Sequence, residues 1–203
     1  MQPEPGEIEA ALHAARTGDV RAFNQLVDLY QRHVYNVCYR SLGSAADAED
    51  ATQDTFLSAF RHLGSFRGSA AELRAWLIRV AVNACYDQLR RRQRRPATSL
   101  EAMQEDAPVH LPDASPGPES VTLNLETAHA IQVALNNLVP EQRIAVVLCD
   151  MQGLSYEEAA HAMGVELGTV KSRLSRARVR LRDLLSDAGE LPPAARRLEQ
   201  KKA

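Results

Sequence analysis

The chain has 203 residues, a formal net charge of −2, 45% apolar residues and only 5% aromatic ones. That length fits one large domain or two small ones, and the apolar share excludes a globally disordered chain. No apolar run approaches the ~20 residues needed to span a membrane. The acidic start MQPEPGEIEA has no hydrophobic core of a signal peptide, so a cytoplasmic protein is expected. Cys38, Cys85 and Cys149 form no CxxC pair and sit in apolar-periodic stretches. They are expected as buried, reduced thiols.

Residues 20–42 carry Phe23, Leu26, Val27, Tyr30, Val34, Val37 and Cys38 at helical spacing, an amphipathic helix. In SAADAEDATQDTFLSAFRHL, Ser44 can cap a second helix, and Asp47, Glu49 and Asp50 suit the positive end of its dipole. Its buried side is predicted to be Ala48, Ala51, Thr55, Phe56, Ala59, Phe60 and Leu63. GSFRGSAAE reads as a loop. A long helix is predicted from about Leu73 to Arg94, with Trp76, Leu77, Val80, Ala81, Ala84 and Leu89 inward and Pro96 as its stop. From Pro96 to Pro118, five prolines and no periodicity mark a flexible linker. Its 23 residues reach at most ~75 Å fully extended but average about 26 Å as a free coil. TLNLETAHAIQVALNNL reads as one helix. Pro140 starts another, PEQRIAVVLCDMQ, which Gly153 ends. The expected fold class is all-α, with two small helical domains joined by that linker.

Charge is segregated along this plan. Residues 61–95 hold nine arginines against Glu72 and Asp87, a net +7. Residues 99–119 hold five acids and no Lys or Arg, and residues 168–182 hold six bases and no acid. Two basic blocks around an acidic one point to two surfaces for a polyanion.

The second basic block follows SYEEAAHAMGVELGTVKSRL. Ser155 and Glu158 form a capping box, Ala160 is small, and Gly164 permits a tight turn. Val165, Val170 and Leu174 can hold a second helix to the first, which is helix-turn-helix logic. Thr169, Lys171, Ser172, Arg173 and Arg176 then face out where such a helix meets base edges. Arg178, Arg180 and Arg182 lie further along, toward phosphate or solvent. The alternative is a solvated basic helix packed on Val170, Leu174, Ala177, Leu181 and Leu184.

In the first block, Arg90, Arg91, Arg92, Arg94 and Arg95 can simply complement a helix end. The row Arg67, Arg74, Arg79 and Asn83 around the lone Trp76 suggests a held and stacked strand instead. By periodicity, Trp76 belongs to the core. Neither a phosphate loop nor a metal or carboxylate–His constellation appears, and the six histidines are scattered, so an enzyme is not expected. No cofactor or metal site is called for. An ordinary helix-turn-helix repressor or activator would explain 155–182 but leave 47–95 without a role.

Taken together, these motifs resemble bacterial RNA polymerase sigma factors of the extracytoplasmic-function (ECF) group, group IV of the sigma-70 family. DAEDATQDTFLSAFRHLGSF (47–66) resembles the conserved helix of region 2. RAWLIRVAVNACYDQLRRRQRR (74–95) resembles its promoter-melting and minus-ten helix. LVPEQRIAVVLCDMQGLSYEEAAHAMGVELGTVKSRLSRARVRLRDLL (138–185) resembles region 4.

The resemblance implies region 2 in 1–95, a linker in 96–118, region 4 in 119–185, and a tail of unassigned role in 186–203. It implies that Asp50, Gln53 and Asp54 grip the beta-prime clamp helices of core polymerase, with the beta flap a second contact. Loop 68–73 would capture an unstacked minus-ten base. Arg67, Arg74, Trp76, Arg79, Asn83, Arg90 and Arg91 would serve the minus-ten strand, and Thr169, Lys171, Ser172, Arg173 and Arg176 the minus-thirty-five element. Promoter DNA and an anti-sigma factor are the further partners implied. The acidic linker would thread the polymerase cleft. The chain departs from the family pattern in two places. Leu73 stands where an aromatic usually precedes Arg-x-Trp, and Arg67 to Trp76 is one residue longer than common. The two promoter elements lie roughly 70 Å apart, at ~34 Å per helical turn. Polymerase must therefore hold the two domains apart.

Overall fold

The computed structural model describes residues 5–94 and 118–187, with side chains from 6–94 and 127–186. The linker predicted at 96–118 falls outside the described residues except for Pro118, and the tail does so from residue 188. Every element among the described residues is helical.

The first domain is a four-helix bundle of α1 (Pro5–Arg16), α2 (Val20–Leu42), α3 (Ala45–His62) and α4 (Ala70–Arg94). α2 has the predicted bounds and stops at Gly43, whose φ of +74° suits glycine. Ser44 caps α3 by accepting from the Asp47 amide. The core is aliphatic: Leu12, Val34, Val37, Leu73, Ile78 and Val82 are at most 1% exposed. Cys38 and Cys85 are buried there, but Cys149 is only half-buried, and burial pushes its thiol up to about 11.

Several expectations need correction. α4 begins at Ala70 rather than Leu73, because Glu72 accepts from both the amide and the hydroxyl of Ser69 and draws the helix start back. Phe60 is exposed, although its ring meets Phe23 edge-on at 4.9 Å. Trp76 and Phe56 are only half-buried. α1 has no counterpart among the predicted elements, yet Leu12 and Ala15 belong to the core.

The second domain contains α5 (Pro118–Asn136), α6 (Pro140–Val146), α7 (Tyr156–Met163) and α8 (Leu167–Asp187). The helix starting at Pro140 is not uniform. After Val146 it widens into a π-helical turn, Val147–Met151, closed by the Gln152 amide on the Val147 carbonyl. The Ser155–Glu158 capping box forms in both directions. Gly164 ends α7 in the left-handed region, and α8, with Val170 and Leu174 buried, packs against both α6 and α7.

The two domains share one continuous apolar core. α4 lies along α7, and α2 meets α5 and α6. At the junction Arg143 is buried and donates to the carbonyls of Ser41 (3.3 Å), Asn136 (3.0 Å) and Leu138 (3.2 Å). Arg40 reaches across to the Ala128 carbonyl at 3.1 Å and Gln132 Oε1 at 3.2 Å. Asn136 stands so close to Gly43 that a Cβ there would lie 2.2 Å from its Oδ1.

Gly43→Ala should therefore lose stability in two parts, about 1–2 kcal/mol for the left-handed backbone and more for the displaced Asn136. Denaturant midpoints of Gly43→Ala with and without Asn136→Ala separate them. The double variant should retain the backbone cost and lose the coupling. A strictly additive pair would show that Asn136 does not press on this turn.

Candidate nucleic-acid interface

Helical geometry sorts the basic residues of α4. At about 100° per residue, Trp76, Arg79, Asn83 and Arg90 share one stripe about 60° wide, while Arg74 lies on the far side. The row expected around Trp76 is thus divided. Arg67 sits in the loop before α4 and donates to the Gly64 carbonyl at 2.6 Å. Arg90 pairs with Asp87 one turn back. Arg91 reaches Asp54 of α3 at 3.2 Å, and Arg92 reaches Asp47 at 3.9 Å. The acids of α3 and the basic end of α4 therefore meet within one bundle, and Asp54 is not left to a partner alone. These pairs are well exposed and contribute about 0–1 kcal/mol each. Asp50 and Gln53 are exposed on α3.

The loop from Phe66 to Ser69 is held on several sides. The Phe66 ring lies 5.0 Å from that of Trp76. A Cβ on Gly68 would come within 2.5 Å of Phe66 Cζ, so a side chain there would force the Phe66 ring to shift. Trp76 is thus neither core nor free, but half-buried under an aromatic neighbour.

α8 has a different distribution. Val170, Leu174 and Ala177 are buried and define its inner stripe. Ser172 and Arg176 face outward, with half-buried Thr169 on the same flank and exposed Lys171 on the other. Ser172 donates back to the Thr169 carbonyl at 2.9 Å. Arg173 does not face away from the core as expected. It is half-buried beside Tyr86 of α4, with Nη1 buried and without a hydrogen-bond partner. Arg178 makes a two-pronged pair with Asp150, Nε to Oδ2 at 3.0 Å and Nη2 to Oδ1 at 2.5 Å. That pair holds the guanidinium's pKa above its ordinary value. The π-helical turn supplies this acid, whereas the acids of α8 itself, Asp183 and Asp187, lie further along the helix.

Three of the candidates touch the opposite domain. Arg74 donates from Nη2 to the Gln152 carbonyl at 3.2 Å, and from Nε to His33 Nε2 at 3.0 Å. Arg79 donates to His161 of α7. Arg173 lies on Tyr86. Sequence reasoning missed the receiving residues Gln152, His161 and Tyr86, because none has a periodic or compositional signal.

These features define an all-α protein in which a bundle carrying a basic helix is joined to a helix-turn-helix domain. The sigma-70 region 2 model matches residues 26–95, and the sigma-70 region 4 model matches residues 128–181. SigM of Mycobacterium tuberculosis H37Rv, an ECF RNA polymerase sigma factor, is 45% identical over 175 residues, covering 86% of this chain and 82% of that protein. The ECF sigma factor SigE of Mycolicibacterium smegmatis is 42% identical over 173 residues, 84% of this chain, but the chain spans only 65% of that relative's length. Among solved structures, the sigma factor RpoE of Bartonella quintana in complex with the anti-sigma factor NepR matches with a TM-score of 0.63 and 32% identity, covering 82% of this chain and 98% of that one. CnrH in complex with the cytosolic domain of CnrY matches at 0.60 and 28% identity, covering 89% and 98%. The chain belongs to the ECF RNA polymerase sigma factors, promoter-directing proteins that bind RNA polymerase. Among the described residues, no helix is long and apolar enough to cross a membrane.

His33 supplies a pH test of the contacts around Arg74. Burial and the adjacent Arg74 push its pKa down from 6.5 to about 4. The neutral ring accepts from Arg74, so the unfolded chain binds more protons between these values. Stability should fall as pH drops from about 6.5 toward 4. His33→Asn should lose less between pH 7 and 5, as urea midpoints would show. An identical loss in the variant would contradict the assignment.

Proposed function

We propose that the chain acts in the cytoplasm, as a non-enzymatic group IV factor, reading promoters at two separated elements. In this reading residues 1–95 serve polymerase and the minus-ten element, 96–118 bridge, and 119–185 serve the minus-thirty-five element. Asp50, Gln53 and Asp54 contact the beta-prime clamp helices, and the second domain meets the beta flap. Trp76, Arg79, Asn83 and Arg90 follow the single strand along their stripe, with Arg67, Arg74 and Arg91 flanking it. Lys171, Ser172, Arg176 and Thr169 enter the major groove, and Arg173 joins them once freed from Tyr86.

One observation carries this reading beyond a lone helix-turn-helix. Arg74, Arg79 and Arg173 are engaged across the domain junction. A chain reading two elements roughly 70 Å apart must release all three together. We propose that polymerase binding shifts the closed form to an open one. The solved relatives above are each bound to a second protein, which supports an anti-sigma partner that holds this chain closed.

Transcription of a promoter library by core polymerase, with and without the protein, tests the function. Promoter-specific starts that need both supports it. Tight binding of the protein alone to a palindrome would favour an ordinary repressor or activator.

Two variant sets test the residues. Lys171→Ala or Arg176→Ala should cost about 1–3 kcal/mol of discrimination at the upstream element and leave folding intact, since both are exposed. Equal initiation whatever the upstream sequence would remove α8 as the reader. Asp50→Ala with Asp54→Ala should weaken core polymerase binding at least about tenfold, a floor below the roughly 2–5 kcal/mol typical of a buried interfacial charge pair. Thermal stability should change little, because the Asp54–Arg91 pair is exposed. Unchanged affinity in a folded double variant would contradict the α3 assignment.

A further inference from the structure

α1 precedes the segment matched by the region 2 model, which begins at residue 26. It nevertheless touches the loop before α4 at both ends. Near its end, Arg16 donates from Nη2 to the Gly68 carbonyl. The same guanidinium lies 5.3 Å from the centroid of the Phe66 ring, which in turn meets Trp76. Near its start, Glu9 Oε2 accepts from the Ala70 amide at 2.8 Å, one of the otherwise unpartnered donors of the first turn of α4. Leu12 and Ala15, buried between these two contacts, fix α1 on the bundle.

The loop has little regular hydrogen bonding of its own. Phe66 donates to the Leu63 carbonyl, and Ser69 binds Glu72. Between them, the polar contact on Gly68 comes from Arg16. Arg16 is half-buried, and its Nε is buried without a partner. Such a group is costly to hold in place unless its remaining donors are well used. Packing, a cation over a ring and a charge-assisted bond all fix the guanidinium in one position.

We infer that α1 is a clamp in which Arg16 and Glu9 act as positioning residues, presetting the loop 66–70 and the Phe66–Trp76 pair to receive an unstacked base of the minus-ten strand. The inference depends on the reading of that loop as the strand's binding site. A base that leaves the duplex gives up a few kcal/mol of stacking and pairing. A loop already fixed returns more of that on capture than one that must order itself first. Arg16 and Glu9 touch no DNA in this scheme. They decide how sharply the loop discriminates, not whether the protein binds polymerase.

The test uses the full chain with core polymerase and templates whose minus-ten bases are already unpaired, each base being changed in turn. The unmodified protein should prefer one base at a captured position by about tenfold or more, within the range for a single mismatched position. Arg16→Ala and Glu9→Ala should flatten that preference to about threefold or less. Discrimination at the upstream element and affinity for core polymerase should stay unchanged. Arg16→Lys keeps a donor but not the planar fork over Phe66, so it should fall between. Glu9 is exposed, so its variant remains informative should Arg16→Ala fail to fold. If the unmodified protein discriminates and Glu9→Ala does so equally, the clamp is wrong and the loop reading stands. If the unmodified protein shows no base preference in the unpaired strand, the loop reading fails and takes the clamp with it. A uniform loss at both promoter elements would assign α1 a purely structural role and overturn the inference.

Discussion

The Arg143 guanidinium ties the two domains together. It is 8% exposed, and burial pushes its pKa below the ordinary arginine value. An isolated charge at that depth would be strongly unfavourable. It is accommodated because its Nη1 and Nη2 donors meet the carbonyl of Ser41 in the last turn of α2 and those of Asn136 and Leu138 at and just past the end of α5, although its Nε is left without a partner. Helix C-termini carry unpaired carbonyls and partial negative charge. One cation therefore satisfies the ends of two helices from two different domains. Gly43 turns α2 away at this point and leaves room for Asn136.

With that junction fixed, the arrangement of the other arginines follows. α7 lies along α4, so Arg74 and Arg79 find Gln152 and His161, while Arg173 of α8 comes to rest on Tyr86. These contacts are mostly exposed and polar, and each adds little. The apolar core shared between the domains and the buried Arg143 carry most of the closure. That division suits the opening proposed above. In the proposed opening, these weak surface contacts would give way to phosphate and base contacts, whereas the apolar junction sets the threshold that a partner's binding energy must exceed.

Much of this was legible in the sequence. Leu26, Val34, Val37 and Cys38 gave α2 by spacing alone, and Ser155, Glu158 and Gly164 gave the bounds of α7 through capping chemistry that is local by nature. α1 was hidden by Pro3, Pro5 and Gly6 and by its short apolar set, although Ile8, Leu12 and Ala15 are spaced as a helix requires. The π-helical turn has no sequence signal, and it decides where Asp150 meets Arg178. The basic helix α8 was legible as a charge run, but not which of its bases were already paired. Arg178 and Arg173 look alike in sequence. Only tertiary packing sends one to a carboxylate and the other to a tyrosine. The Asp54–Arg91 pair was equally invisible, since its partners lie on different helices whose register the sequence does not state.

The distance between the domains tests the account most directly. Gln31 on α2 and Glu157 on α7 are exposed, lie in different domains and take no part in the proposed contacts. Fluorophores at these two positions should report one short distance in the free protein. On addition of core polymerase and promoter DNA that distance should lengthen by tens of ångströms, toward the roughly 70 Å separation of the two promoter elements. A free protein that already samples long distances, or a transcribing complex that keeps the short one, would contradict the view that closure and promoter reading compete for the same arginines.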